Sequence, residues 1–127
     1  MSIGTVATTM VSFDDAFRDD VEPYTGGWSA ESSKVKRRIS QLIGTPKGAW
    51  IGITSNGKKG CRARWNDKYK GKGMKHMAAV YMTTSESFRR DLEIELIKFF
   101  KDWVDNLDPG GGGPDGTPPF MVYVAWA

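Results

Sequence analysis

The sequence predicts an α+β fold, a small three- or four-stranded, mostly antiparallel sheet packed against two main helices. Three observations carry this expectation. Residues 29–43 and 85–107 repeat apolar side chains at helical spacing, whereas residues 49–54 (AWIGIT), 77–82 (MAAVYM) and 120–126 (FMVYVAW) are short apolar runs rich in strand formers. At 127 residues the chain suits one domain, long enough to bury a core without covalent staples. A single cysteine, Cys61, excludes an intramolecular disulfide framework and any multi-cysteine metal site.

Along the chain, residues 1–27 are weakly patterned and are expected to form a weakly ordered N-terminal arm. Within it, residues 5–12 are a candidate short strand, and Asp14, Asp15, Asp19, Asp20 and Glu22 form an acidic loop. The domain proper is expected over 28–127. In the first helix Val35, Ile39, Leu42 and Ile43 share one face, Ser29 or Ser32 can cap the start, and Gly44 with Pro46 stops it. Lys34, Lys36, Arg37 and Arg38 occupy the other face, either as a solvated surface or as an extension of a basic one. The 49–54 strand ends at Ser55-Asn56-Gly57, a turn signal. Residues 61–69 read as a short basic helix with Cys61, Trp65 and Tyr69 four apart, and 70–75 (KGKGMK) as a glycine-broken loop. Thr83, Thr84 and Ser85 cap the long helix, whose predicted core stripe runs Phe88, Leu92, Leu96, Phe99, Trp103, Leu107, with Glu86 near the positive end of its dipole. Residues 108–119 hold five glycines and four prolines, a composition that neither helix nor sheet interior tolerates. Because an apolar strand follows it, this segment reads as a crossover loop returning the chain to the sheet.

Charge is distributed unevenly. The formal net is +3, but residues 58–75 carry Lys58, Lys59, Arg62, Arg64, Lys68, Lys70, Lys72 and Lys75 against one acid, Asp67. The other 109 residues hold ten bases and fourteen acids. A weakly acidic body therefore bears one concentrated basic segment, interleaved with Trp65 and Tyr69 and followed by His76. Such a segment attracts polyanions, and its arginines and aromatic rings favour nucleic acid over a plain solvated loop. No run approaches the length of a membrane span and no leader pattern opens the chain, so a soluble, cytoplasmic protein without a membrane partner is expected.

Familiar catalytic arrangements are largely excluded. With one histidine and one cysteine, thiol–imidazole chemistry would need Cys61 and His76 together, and no local signature suggests it. The run of four glycines follows a helix and lacks the lysine and hydroxyl of a phosphate loop. Zinc would require more nitrogen and sulfur ligands than the chain contains. Carboxylate-bound Mg²⁺ acting on a phosphate substrate remains, since the substrate and waters complete its octahedron.

The order of the middle elements then matters. A strand reading Trp50-Ile51-Gly52 is followed by Arg62 and Arg64 beside Trp65, by a second strand, and by a helix carrying Glu93-Ile94-Glu95-Leu96-Ile97. This resembles the GIY-YIG nuclease superfamily over residues 49–100. There a Tyr-hydrophobic-Gly strand precedes a helix with a catalytic arginine, and a later helix presents a glutamate, often as Glu-x-x-Leu-Ile, that binds one divalent metal. The resemblance implies that Trp50, Ile51 and Gly52 occupy the second motif. It makes Arg64, or alternatively Arg62, the phosphate stabiliser and Glu93 the ligand of one Mg²⁺ or Mn²⁺ ion, with His76 matching a downstream histidine or lysine that some members use. The lysines Lys58, Lys59, Lys68, Lys70, Lys72 and Lys75 would hold the nucleic-acid backbone.

Two departures accompany the resemblance. The family's Gly-Ile-Tyr strand should precede the second motif, where this chain has a helix. A circularly permuted arrangement would put residues 121–124 there in space, with Tyr123 as the first tyrosine. Trp50 also replaces the second motif's tyrosine, and an indole only donates, so the proton acceptor would have to be Tyr123, Tyr69 or His76. Without one of these the expectation becomes a non-catalytic nucleic-acid-binding module on the same fold. A homo-oligomeric domain binding a small molecule or a protein is the second alternative, and it predicts no polyanion binding.

Overall fold

In the computed structural model, residues 18, 20–44, 48–69, 73–102, 104 and 116–126 are described. They form three helices and a three-stranded antiparallel sheet, in the order α1 (Trp28–Ile43), β1 (Trp50–Thr54), α2 (Gly57–Arg64), β2 (His76–Thr83), α3 (Glu86–Phe99) and β3 (Phe120–Trp126). The α+β expectation holds. Among the described residues no helix is long and apolar enough to cross a membrane.

The C-terminal strand is the centre of the sheet, in the order β1-β3-β2. All seven residues of β3 are buried, because helices cover both faces of the strand; a strand covered on both sides reads as an unbroken apolar run. Val122, Val124 and Trp126 face one layer with Ile51, Ile53, Ala78 and Val80, under α1 and α3. Met121, Tyr123 and Ala125 face the other, with Met77 and Ala79, under α2 and its continuation. A bulge between Ala79 and Tyr81 lets both Val80 and Tyr81 join the first layer.

Several sequence expectations are corrected. No serine caps α1: its N-cap is Gly27 without a side-chain bond, and Ser32 is buried on the core face with Val35, Ile39 and Ile43. Residues 20–27, expected in a weakly ordered arm, are tied to β2. Val21 is in the core, the Tyr24 N–H donates to the Val80 carbonyl, the Met82 N–H donates to the Tyr24 carbonyl, and the Tyr81 hydroxyl donates to the Gly26 carbonyl. The candidate strand at 5–12 and the parts of the two predicted loops at 70–72 and 108–115 lie outside the described residues.

The long helix stops at Phe99, well before residue 107. Phe100 leaves helical geometry, and Val104 comes to lie beside Ala49 in a parallel bridge. That departure buries Phe100 and Val104 in the core. The core stripe is also phased differently, as Arg89, Leu92, Glu93, Leu96 and Ile97, while Phe88 and Phe99 are 38% and 57% exposed. Trp103 and Leu107 lie outside the described residues. Ser85 caps α3 as expected, accepting from the Phe88 N–H at 3.2 Å.

Candidate functional site

The α2 layer of the sheet carries the site. After Arg64 the helix widens into a single π-helical stretch, Trp65–Tyr69. In a regular α-helix, side chains four apart drift round the axis; the wider turn brings Cys61, Trp65 and Tyr69 back onto one face, and all three are buried against Met77, Ala79, Met121, Tyr123 and Ala125. The stretch therefore aims Tyr69 at the middle of the sheet.

Tyr123 meets it there. In the β1–β3 register, Tyr123 stands opposite Gly52, and its ring lies across the space a side chain at 52 would fill. A Cβ at Gly52 would come within 2.5 Å of Tyr123 Cζ and 2.9 Å of Cε1, with Oη nearer still. The two phenol oxygens of Tyr69 and Tyr123 are 2.8 Å apart, with the rings edge to face at 5.5 Å and 72°. Burial pushes both phenols above the ordinary tyrosine value. For Tyr69 the bond from Tyr123 and the positive charge of Arg64 pull back down, and the charge of Glu93 pushes up. For Tyr123 burial and the neighbouring Tyr69 both push up, with Arg64 opposing. Either hydroxyl can donate in this bond. Because the bond and Arg64 pull the Tyr69 value down while Tyr69 and the bond push the Tyr123 value up, Tyr69 is the phenol that ionises first.

Arg64 closes α2 and is half-buried, and its charge acts on Tyr69, Tyr123, the Cys61 thiol and Arg89. Arg62, two residues earlier, is exposed. Of the two arginines, Arg64 is the one brought to the phenols. Cys61 is an inert neighbour, because burial raises its thiol to about 12.

Glu93 and Arg89 both have 0% exposure. Arg89 donates to the Thr54 carbonyl at 3.2 Å and to Glu86 at 3.3 Å, and its guanidinium lies 4.6 Å from the Phe120 ring centroid. Burial lowers its pKa, while Glu86 and Glu93 raise it. Glu93 is carried on α3, whose core residues pack on the opposite layer of the sheet from the phenols; its charge is the smallest of the influences on Tyr69 and also acts on Arg89. Arg89 is not among the residues that the sequence singles out. The signal that identifies it is its phase: three residues before Leu92 and seven before Leu96, it lies on the buried face.

The remaining sequence candidates are dispersed. His76 stacks on Trp126 at 5.2 Å and 28°, on the opposite face of the sheet from Tyr123, so it does not join the phenols. Lys68 sits over two rings, 5.5 Å from the Trp50 centroid and 5.2 Å from that of Tyr69. Lys58 is half-buried, 3.7 Å from Glu22, whereas Lys59 and Lys75 are exposed; Lys70 and Lys72 lie outside the described residues. The basic face of α1 does not extend this surface, since α1 packs on the other layer and pairs Lys36 with Glu95 at 2.7 Å and Arg38 with Tyr24 at 3.0 Å.

Among the described residues no cluster of three or more His, Cys, Asp or Glu side chains could hold a metal ion. What Glu93 offers is a single carboxylate, a hard oxygen donor of the kind that suits Mg²⁺ or Mn²⁺ when water and phosphate oxygens supply the rest. Comparison of the chain with protein-family models, with curated proteins and with solved structures finds no match to any of them.

Proposed function

We propose that this chain is a divalent-metal-dependent nucleic-acid phosphodiesterase of GIY-YIG type with a permuted strand order. The observation that carries the reading is the seating of Tyr123 over Gly52, its phenol bonded to Tyr69 within the field of Arg64. In that reading the C-terminal strand supplies the first tyrosine, and Tyr69 takes the task that an indole at position 50 cannot perform.

Each residue then has a role. Arg64 stabilises charge growing on the phosphate oxygens. Tyr123 donates to Tyr69 and holds its ring. A water attacks phosphorus and gives its proton to the ionised Tyr69 oxygen, the P–O bond to the leaving oxygen breaks, and that oxygen takes a proton from solvent. Glu93 would hold one Mg²⁺ or Mn²⁺, which when bound neutralises phosphate charge. Because Glu93 is wholly covered and Tyr69 is 1% exposed, metal loading and the approach of water and phosphate to the phenol both require the layers above them to open. Lys59, Lys68 and Lys75 grip the nucleic-acid backbone.

The test is cleavage of supercoiled plasmid, single-stranded DNA and structured RNA with Mg²⁺ or Mn²⁺, with EDTA, Tyr69→Phe and Glu93→Gln as controls. Metal-dependent cutting, lost in both variants while binding persists, is the expected result. Salt-sensitive binding without cutting by the unaltered chain means a nucleic-acid-binding module. Neither cutting nor binding sinks both readings and leaves the basic segment as a solvated surface.

A further inference from the structure

Trp50 is only partly buried, although it packs on the same sheet face as the phenol pair. It lies on β1, an edge strand, two residues from Gly52. The Lys68 ammonium rests between its ring and that of Tyr69, at 5.5 and 5.2 Å from the two centroids. An aromatic face at the border of the site, with a cation seated on it and a phenol beyond, matches what one nucleotide requires: a ring to stack its base and a charge for its phosphate. A charge-assisted bond to phosphate is stronger than a cation–ring contact, so a phosphate arriving at this edge draws the ammonium toward it. A paired base keeps both its faces inside the duplex stack, and only an unpaired one can lie on an indole.

We propose, resting on the nucleic-acid reading above, that Trp50 and Lys68 form a stacking subsite for an unpaired nucleotide beside the Tyr69–Tyr123 pair. The substrate is then single-stranded nucleic acid, or a duplex with an unpaired nucleotide at the scissile position.

The test is equilibrium binding in EDTA of a 20-nucleotide oligo(dT) and of a duplex of the same length, at two salt concentrations. It uses the full chain and its Trp50→Leu, Trp50→Phe and Lys68→Ala variants, each checked for an unchanged melting curve. The single strand is expected to bind about tenfold more tightly than the duplex, in line with the worth of one base–aromatic stack. Trp50→Leu is expected to erase that preference without weakening duplex binding, Trp50→Phe to keep most of it, and Lys68→Ala to lower the salt dependence. Oligo(dT) should quench an emission component that Trp50→Leu lacks. Equal affinity for the two forms, an equal loss of both in Trp50→Leu, or binding of neither overturns the subsite. The cleavage assay separates this from the catalytic proposal: cutting with no strand preference overturns only the subsite, and a strand preference without cutting leaves the subsite standing and removes the nuclease.

Discussion

Gly52→Ala tests the centre of the site. The new methyl would stand 2.5 Å from Tyr123 Cζ and 2.9 Å from Cε1, closer than real Cβ atoms approach a neighbour. Although Oη is at the tip of its side chain, the ring carbons are rigid and Tyr123 is only 1% exposed, so the ring has no open space to enter. Overpacking of this kind costs about 1–3 kcal/mol. Displacing the ring also stretches the 2.8 Å bond to Tyr69, a loss of about 1 kcal/mol. The sum, about 2–4 kcal/mol, corresponds to a fall in Tm of roughly 6–20 °C for a chain this size. Urea titration followed by tryptophan fluorescence measures the first figure and calorimetry the second. Tyr123→Leu removes the clashing atoms, so in that background Gly52→Ala should cost under about 1 kcal/mol, a coupling that a double-mutant cycle reads directly. A cost below about 0.5 kcal/mol in the unaltered chain, or the same cost in both backgrounds, would mean that the Tyr123 ring does not lie over Gly52.

Other perturbations follow from the same structure. Arg89→Ala removes a buried cation from between Glu86, Glu93 and the Thr54 carbonyl, and is expected to destabilise by about 3–5 kcal/mol, measured by urea titration, whereas the exposed Arg62→Ala should change stability little. The Cys61 thiol, raised to about 12 in the fold, should react with a disulfide reagent only as fast as the chain unfolds. Its folded value lies above its unfolded one, so its contribution to stability is complete below the ordinary thiol value and is lost as pH climbs from about 9 to about 12; Cys61→Ala should flatten part of that alkaline decline. If ionised Tyr69 accepts the proton, its raised pKa keeps the active form scarce at neutral pH, and kcat/KM should climb roughly tenfold per pH unit from 7 to 9. A flat profile over that range would remove Tyr69 from the role.

Much of the molecule was legible in its residues. The three apolar runs became the three strands, the first helix kept its predicted core face, and the seven-residue run at the end of the chain announced a strand covered on both sides. The long helix was misphased because an apolar pattern passes over charged residues. Arg89 and Glu93 lie on its buried face, while Phe88 and Phe99 reach solvent. The same blind spot concealed Arg89 as the guanidinium that ties α3 to the end of β1.

Local pattern alone thus determined which segments become strands and helices and where positive charge concentrates, because hydrophobic period and charge are properties of neighbours in the chain. Only the tertiary structure decided which side chains meet. Tyr69 and Tyr123 are 54 positions apart, and their contact depends on a strand register, on a glycine that leaves room for a ring and on a π-helical stretch that turns Tyr69 inward. His76, close in sequence to the basic segment, is carried to the other face of the sheet by the two-residue alternation of its strand. Contacts between distant segments are fixed by packing and register, which no local window of sequence contains.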